Sequence, residues 1–362
     1  MRHQLKHCVW VTGLLLALPL LALADPTTPS SSGTNGKFRW FNVTDAETTI
    51  AGGINKRGVI VGTYTKGPSL CVEDSLEHGF STGDNGKSIR TIEFPGATAT
   101  EGFGINDGGV IAGIYEQCNN GAIDHGFLYE DGEFETLALP PIVGDSPDIR
   151  GVNNQEDVVG GYGGTPEYGF VFTEHGEFTQ LEACDDPNIN SLPELCKHGT
   201  TDGWGINDKR AAVGHYEDNT VVCDPEGDCE NTHHGFMWTQ GKGFKALYCD
   251  GDPASGTDAN GINNQGVIVG RCDTSAFVLL PPYRALDCDA AKPRACDWKK
   301  FAIPEPASGK FRCPTGLELN KTVAWGISNA GRIVGSYTCV HPTNDPGPDQ
   351  TFAFVVNAKD VK

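Results

Sequence analysis

The sequence is poor in the marks of membrane insertion, of basic partners and of familiar catalytic machinery. After residue 24 no stretch approaches the roughly 18 consecutive apolar residues that a spanning helix needs, which excludes a helical anchor in the body of the chain. Positive charge is scarce: 27 Lys and Arg stand against 47 Asp and Glu, a formal charge of −20. A surface so acidic repels nucleic acid and anionic lipid, and it attracts cations or cationic ligands as readily as it keeps a protein dissolved. No Gly-x-Ser-x-Gly elbow, phosphate-binding loop or His-Glu-x-x-His run is present. Tight Cys-x-x-Cys pairs are missing as well, which argues against cysteine-built zinc or iron–sulfur centres.

What the chain does have begins at residues 1–24. Arg2 and Lys6 precede an apolar run over 14–21 and a small-residue site at Ala22-Leu23-Ala24, the layout of a cleaved secretory signal. Cys8 would leave with that signal, and 12 cysteines remain, an even number in a chain bound for an oxidising space. The spacing predicts local bridges Cys184/Cys196, Cys223/Cys229 and Cys288/Cys296, with Cys71/Cys118, Cys249/Cys272 and Cys313/Cys339 pinning loops of neighbouring repeats. The expected plan is a signal over 1–24, a flexible linker over 25–36, a folded body over 37–358 and a tail over 359–362.

The body is a repeat. A ten-residue box recurs as GINKRGVIVG, GINDGGVIAG, GVNNQEDVVG, GINDKRAAVG, GINNQGVIVG and GISNAGRIVG, with third residues Asn55, Asn106, Asn153, Asn207, Asn263 and Ser328. Successive boxes stand 51, 47, 54, 56 and 65 residues apart. Each reads as strand, tight turn and strand. A second box follows: His78-Gly79-Phe80, His125-Gly126-Phe127, Tyr168-Gly169-Phe170, His234-Gly235-Phe236, Ser275-Ala276-Phe277 and Phe352-Ala353-Phe354. In the first four repeats it leads through a polar turn to another apolar strand, which makes four strands per repeat.

Four-stranded units repeated six times bury their faces on one another when stacked radially. The fold expected is therefore all-β, a six-bladed β-propeller of four-stranded antiparallel blades. The segment 38–43 reads as a fourth strand without the first three, and the last repeat as three strands without a fourth, so pairing the two would close the ring. The chain also holds 47 glycines, largely inside the boxes, where crowded inner strands favour residues without a Cβ.

The pairing of a Gly-Ile-Asn-Asn-x-Gly-type box with a His-Ala-Phe-type box resembles the HAF family of extracellular repeat proteins, from Gly53 to Phe354. The resemblance implies an exported repeat protein and carries no defined reaction.

In a propeller the loops after strands two and four share one face. The long segments 65–77, 116–124, 182–200 and 217–232 are of the strand-two or strand-four kind, so a working face is expected there, with ten of the twelve cysteines beside it. Three residues before each box stand Ile50, Glu101, Asp148, Asp202, Asp258 and Val323, four of them carboxylates placed at the expected channel mouth. They suit Ca²⁺ or a cationic group, or else bond to neighbouring strand amides. One residue before each box stand Gly52, Phe103, Arg150, Trp204, Asn260 and Trp325. The aromatics among them would stack on a flat ligand such as a sugar, or pack between blades. His78, His125 and His234 read as structural because equivalent positions lie around a ring, whereas His215 and His233 break the repeat and are candidates for function.

The sequence thus points to a secreted binding module, monomeric, holding a small molecule, glycan, peptide or cation on its long-loop face. The second reading is an extracellular hydrolase or lyase acting on a polymer through the mouth carboxylates, with or without calcium. The ligand-binding candidates are Glu101, Phe103, Asp148, Arg150, Asp202, Trp204, His215, His233, Asp258 and Trp325; no catalytic residue or metal ligand is assigned.

Overall fold

A computed structural model describes residues 27–361 except 29, 36, 69–74, 84–85, 87, 119–121, 145, 164–166, 184–185, 187–199, 224–228, 250–255, 284–297, 305–312, 315 and 342–348. The expected signal at 1–24 lies outside the described residues. Among the described residues no helix is long and apolar enough to cross a membrane.

The chain is all-β. It opens with β1 (Thr27–Thr28), β2 (Ser30–Asn35) and β3 (Phe38–Val43), followed by an antiparallel run of β4 (Thr48–Ile54), β5 (Ile60–Pro68), β6 (Ser75–Thr82) and β7 (Ile89–Ile92). Four separate four-stranded antiparallel sheets come next. The first is β8 (Ala99–Ile105), β9 (Ile111–Cys118), β10 (Ala122–Glu130) and β11 (Glu133–Thr136). The second is β12 (Asp148–Val152), β13 (Val158–Gly163), β14 (Glu167–Phe172) and β15 (Phe178–Leu181). The third is β16 (Thr201–Ile206), β17 (Ala211–Cys223), β18 (Cys229–Thr239) and β19 (Gly243–Leu247). The fourth is β20 (Thr257–Ile262), β21 (Ile268–Cys272), β22 (Ser275–Leu279) and β23 (Trp298–Phe301). The chain ends with β24 (Glu318–Ile327), β25 (Arg332–Val340) and β26 (Gln350–Asn357). β26 takes β3 as its antiparallel partner through Ala353↔Phe41, Phe354↔Trp40 and Val355↔Arg39.

Every sequence box is a hairpin whose third residue builds the turn, an Asn side chain in the first five and the Ser328 hydroxyl, which accepts from Arg332 N at 3.0 Å, in the last. Asn106 Oδ1 accepts the backbone N–H of Gly109 at 2.9 Å and of Val110 at 3.0 Å, and Asn106 Nδ2 donates to the Asn153 carbonyl of the next repeat at 3.1 Å. Asn153, Asn207 and Asn263 repeat this link to Asn207, Asn263 and Ser328. The following residue adds a parallel course, from Lys56 N to Asp107 and onward through Asn154, Asp208 and Asn264 to Asn329. One amide therefore closes its own turn and ties it to its neighbour.

The first strands β4, β8, β12, β16, β20 and β24 each touch the next, and β24 touches β4. Glycine permits this approach: a Cβ on Gly104 would meet the backbone of Arg150 and Gly151 at 3.0 Å, and one on Gly326 would meet the Gly52 carbonyl at 2.6 Å. Between the sheets lie Phe80, Phe127, Phe170, Phe236, Phe277 and Phe354, all fully buried. Each contributes on the order of 1.5–3 kcal/mol of hydrophobic stabilisation.

The first residue of the second box packs against the residue that closes the second strand. His78 stacks across the ladder on Tyr64 at 4.9 Å, His125 packs on Tyr115 at 5.0 Å and His234 on Tyr216 at 5.0 Å; Tyr162–Tyr168 and Tyr337–Phe352 occupy the same register position. In the sheet of β20 to β23 that position holds Cys272 opposite Ser275, and a disulfide from Cys249 replaces the ring pair. The second bridge, Cys313–Cys339, joins the segment before β24 to β25. Both bridges match the expected pairs. Cys71, Cys184, Cys196, Cys288 and Cys296 lie outside the described residues, as do the side chains of Cys118, Cys223 and Cys229.

Three expectations need correction. Residues 30–35, expected within a flexible linker, form β2 against β3 from Ser30↔Val43 to Asn35↔Phe38, because the outer edge of β3 offers unpaired backbone groups. The tail at 359–362 is partly built in: Val361 is buried in the cluster of Phe38 and Phe301, and Lys37 pairs with Asp360 at 2.6 Å. The segment 217–232, expected as a loop, continues the β17–β18 ladder after a bulge as far as Cys223↔Cys229.

Candidate functional site

Apart from a further shift in β24 between Leu319 and Lys321, the six first strands shift register at equivalent places, between Ala51 and Gly53, Gly102 and Gly104, Ile149 and Gly151, Gly203 and Gly205, Ala259 and Gly261, and Ala324 and Gly326. The residue passed over in each is Gly52, Phe103, Arg150, Trp204, Asn260 or Trp325. A bulge leaves its extra residue unpaired and re-aims its side chain. Here all six line one cavity of about 230 Å³ encircled by the first strands. The competing expectation of aromatic packing between sheets is therefore corrected: these residues do share a face with the Ile or Val two positions on, and that face lines the cavity. Ile54, Ile105, Val152, Ile206, Ile262 and Ile327 close the cavity at its far end and separate it from a polar one of about 60 Å³ inside the Asn turns.

Arg150 organises the interior. Its guanidinium lies 4.4 Å from the ring centre of Phe103 and 4.3 Å from that of Trp204, a cation held between two π faces. It pairs with Asp148, also at the mouth. Trp204 stacks on Trp325, with centres 5.1 Å apart and planes 25° from parallel.

The carboxylates do not form the single solvent-facing ring of four that the sequence predicts. Asp202 and Asp258 are buried at 5% and 8% exposure, while Glu101 and Asp148 are half-buried. Two groups result. Asp148, Glu167 and Asp202 bring one oxygen each to within 4.8 Å of one another. Gly161 makes the room, since a Cβ there would strike Glu167 Oε1 and stand 2.7 Å from Asp202 Oδ1. Burial raises Glu101 well above the usual carboxylate range and Glu77 beside it adds to the rise; burial likewise raises Asp202 and Asp148 although Arg150 opposes both shifts. Burial, reinforced by Asp148, pushes Glu167 up to about 7. Three oxygens are half or less of the six to eight that Ca²⁺ takes, and Arg150 already supplies positive charge there, so the fit to calcium is incomplete.

Asp258 belongs to the second group. Its Oδ1 lies 2.9 Å from His233 Nδ1, and its Oδ2 accepts from Arg271 Nε at 2.6 Å. His233 Nε2 stands 3.1 Å from Glu217 Oε1. Burial opposes charge on His233, but hydrogen bonds to Asp258 and Glu217 outweigh it and raise its pKa to about 9. His215 stacks flat on His233 at 4.4 Å, and burial depresses it to about 4. Its ring centre is 6.3 Å from that of Trp204, which places this group beside the cavity.

Glu77, Asp124, Glu167 and His233 each stand one residue before the second box, and Glu217 follows the Tyr216 that closes the second strand. These columns carried a signal that reading the first box alone does not reveal. Glu167 and Glu217 are the functional candidates it missed.

On the cavity wall, Arg150 Nε and Asn260 Oδ1 are buried and have no hydrogen-bond partner among the described residues. Buried polar atoms are normally paired, so two such atoms on residues lining one cavity are consistent with a hydrogen-bonding guest there.

No protein-family model and no curated protein matches the chain. Among solved structures, the β-propeller domain of the Trilobed protease from Pyrococcus furiosus is 11% identical, with 88% of this chain and 80% of that chain covered and a TM-score of 0.34. YCF48 bound to D1 peptide is 9% identical over 91% and 99% of the two chains, with a TM-score of 0.38. A polysaccharide lyase is 9% identical over 92% and 78%, also with a TM-score of 0.38. At these identities and scores the likenesses carry no chemistry across to this chain.

Proposed function

We propose that the chain is an exported, six-bladed β-propeller of HAF-repeat type, closed by β3 completing the last blade, and that it is a binding module for a sugar unit of an extracellular glycan. The blade number is supported by six boxes forming six hairpins and by first strands that touch in a cycle. Closure is supported by the β3–β26 register, and export by residues 1–24 and two disulfides.

The observation that carries the binding reading is a cavity walled by stacked tryptophans and lined by Arg150 and Asn260, each with an unpartnered polar atom. A sugar ring has an apolar face for an indole and hydroxyls that both donate and accept. Glu101 and Asn260 on the cavity wall would bond those hydroxyls. A cavity of about 230 Å³ suits one ring of a longer chain. A glycan-array screen of the mature protein tests this. Binding to a defined set of glycans, weakened about tenfold or more by Trp204→Ala, is expected; a mature protein that retains no glycan contradicts it.

One observation favours the hydrolase or lyase reading. Glu167, with a pKa of about 7, stands within reach of Asp148 and Asp202, and carboxyls in unlike environments can divide acid and base roles. Degradation of a bound glycan, abolished by Glu167→Gln with binding retained, would establish it.

A further inference from the structure

β17 and β18 carry a cluster that the glycan reading does not use. His215 and Glu217 are two residues apart on β17 and project from the same side of the sheet, and the register Glu217↔His233 sets His233 directly across from Glu217. We propose that His215, Glu217 and His233 form a binding site for a divalent transition-metal ion of the Zn²⁺ class, with Asp258 orienting His233.

One ligand atom from each of the three residues lies within 4.8 Å of the other two. Ligand atoms around a tetrahedral Zn²⁺ stand roughly 3.3 Å apart, so small rotamer adjustments close the set. The two imidazoles are parallel to within 2°, with centres 4.4 Å apart, so one ring has to tilt for both in-plane lone pairs to converge on a single ion. Asp258 holds His233 Nδ1 at 2.9 Å and is itself anchored by Arg271, leaving Nε2 turned toward Glu217. An imidazole bonded to a carboxylate through one nitrogen and able to ligate through the other is the usual arrangement at protein metal sites. Two imidazoles and a carboxylate suit Zn²⁺ and its neighbours rather than Ca²⁺, and three protein ligands leave a coordination position open.

A histidine clamped between Glu217 and Asp258 would account for His233 alone and gives no role to His215. The positions equivalent to His215 hold Thr63, Ile114, Gly161, Arg271 and Ser336. His215 departs from all of them, its side chain is only 12% exposed, and its Nδ1 is unpartnered, with Asp258 Oδ1 3.9 Å away. Metal binding gives both histidines one purpose. Its proximity to Trp204 would put the open position beside the cavity, yet the inference holds whether or not a glycan binds there.

The test uses mature protein stripped with a chelator, titrated with Zn²⁺ by calorimetry and with Co²⁺ by visible absorption. One equivalent of each is expected, with the intense absorption of low-coordinate Co²⁺. Affinity should fall about 100-fold in His215→Ala and Glu217→Gln and about tenfold in Asp258→Asn. It should be unchanged in His175→Ala, which alters an exposed histidine elsewhere. Thermal unfolding of each variant separates loss of the site from loss of the fold, and Glu217→Gln preserves side-chain shape. Absence of heat and of Co²⁺ absorption, or equal affinity in well-folded His215→Ala, would overturn the proposal.

Discussion

The two ends of the space enclosed by the first strands are built from the same strands and have opposite chemistry. At the turn end, Asn106, Asn207 and Asn263 each serve three hydrogen bonds and Asn153 serves four, so nearly the same turn is built in successive repeats. At the mouth, equivalent positions hold unlike residues, polar atoms are left unpaired, and several ionisable groups are displaced from their ordinary range. Repetition serves assembly at one end, and divergence at the other tolerates groups that assembly alone would remove.

The comparison breaks if the turn end can be altered cheaply. Asn207→Ala removes the acceptor for Lys209 N and Ala211 N and the donor to Asn263 O in a buried setting. It should cost about 3 kcal/mol in chemical denaturation, at roughly 1 kcal/mol per bond. Replacing Cys249 and Cys272 together should cost slightly less than that or about the same, since a loop of 23 residues gives on the order of 3 kcal/mol from chain entropy. At the mouth, Asp202→Asn should change stability by less than about 1 kcal/mol in either direction, because it removes a buried acid beside Asp148 and Glu167. The same substitution should weaken ligand binding, so stability and binding separate at the two ends.

The smallest effect is a slope. The pKa of His233 is raised to about 9 in the folded chain from 6.5, so its stabilising contribution is full below pH 6.5 and fades as pH rises to 9. In metal-free protein, His233→Gln should remove that part of the alkaline decline in stability, measured by denaturant midpoints across pH 6 to 10. His215 has the opposite sign: with a pKa lowered to about 4, it destabilises the fold as pH falls from 6.5 to 4.

Much of the fold was legible because the boxes are local hairpins. Asn55, Asn106 and their counterparts announce the turn, the His-Gly-Phe triplets the third strand, and two cysteine pairs were read correctly by position. The mouth was legible in part. Phe103, Arg150, Trp204 and Trp325 were found by column and share a face with the Ile or Val two residues on, but a strand period does not say whether that face meets the central cavity or the neighbouring sheet. The split of the carboxylates into two groups was hidden because it depends on Arg150 and on His233, which reach sideways to different partners. β2 had a turn signal in Asn35-Gly36, outweighed by the small polar residues that precede it.

The most direct test of the functional account is calorimetric titration of the tightest-binding glycan into the wild type, Trp204→Ala and Trp325→Ala at the mouth, and Asn329→Ala at the turn end. The account predicts that both tryptophan variants lose about tenfold or more in affinity while Asn329→Ala binds as the wild type does. Undiminished binding in both tryptophan variants, or loss confined to Asn329→Ala, would contradict it.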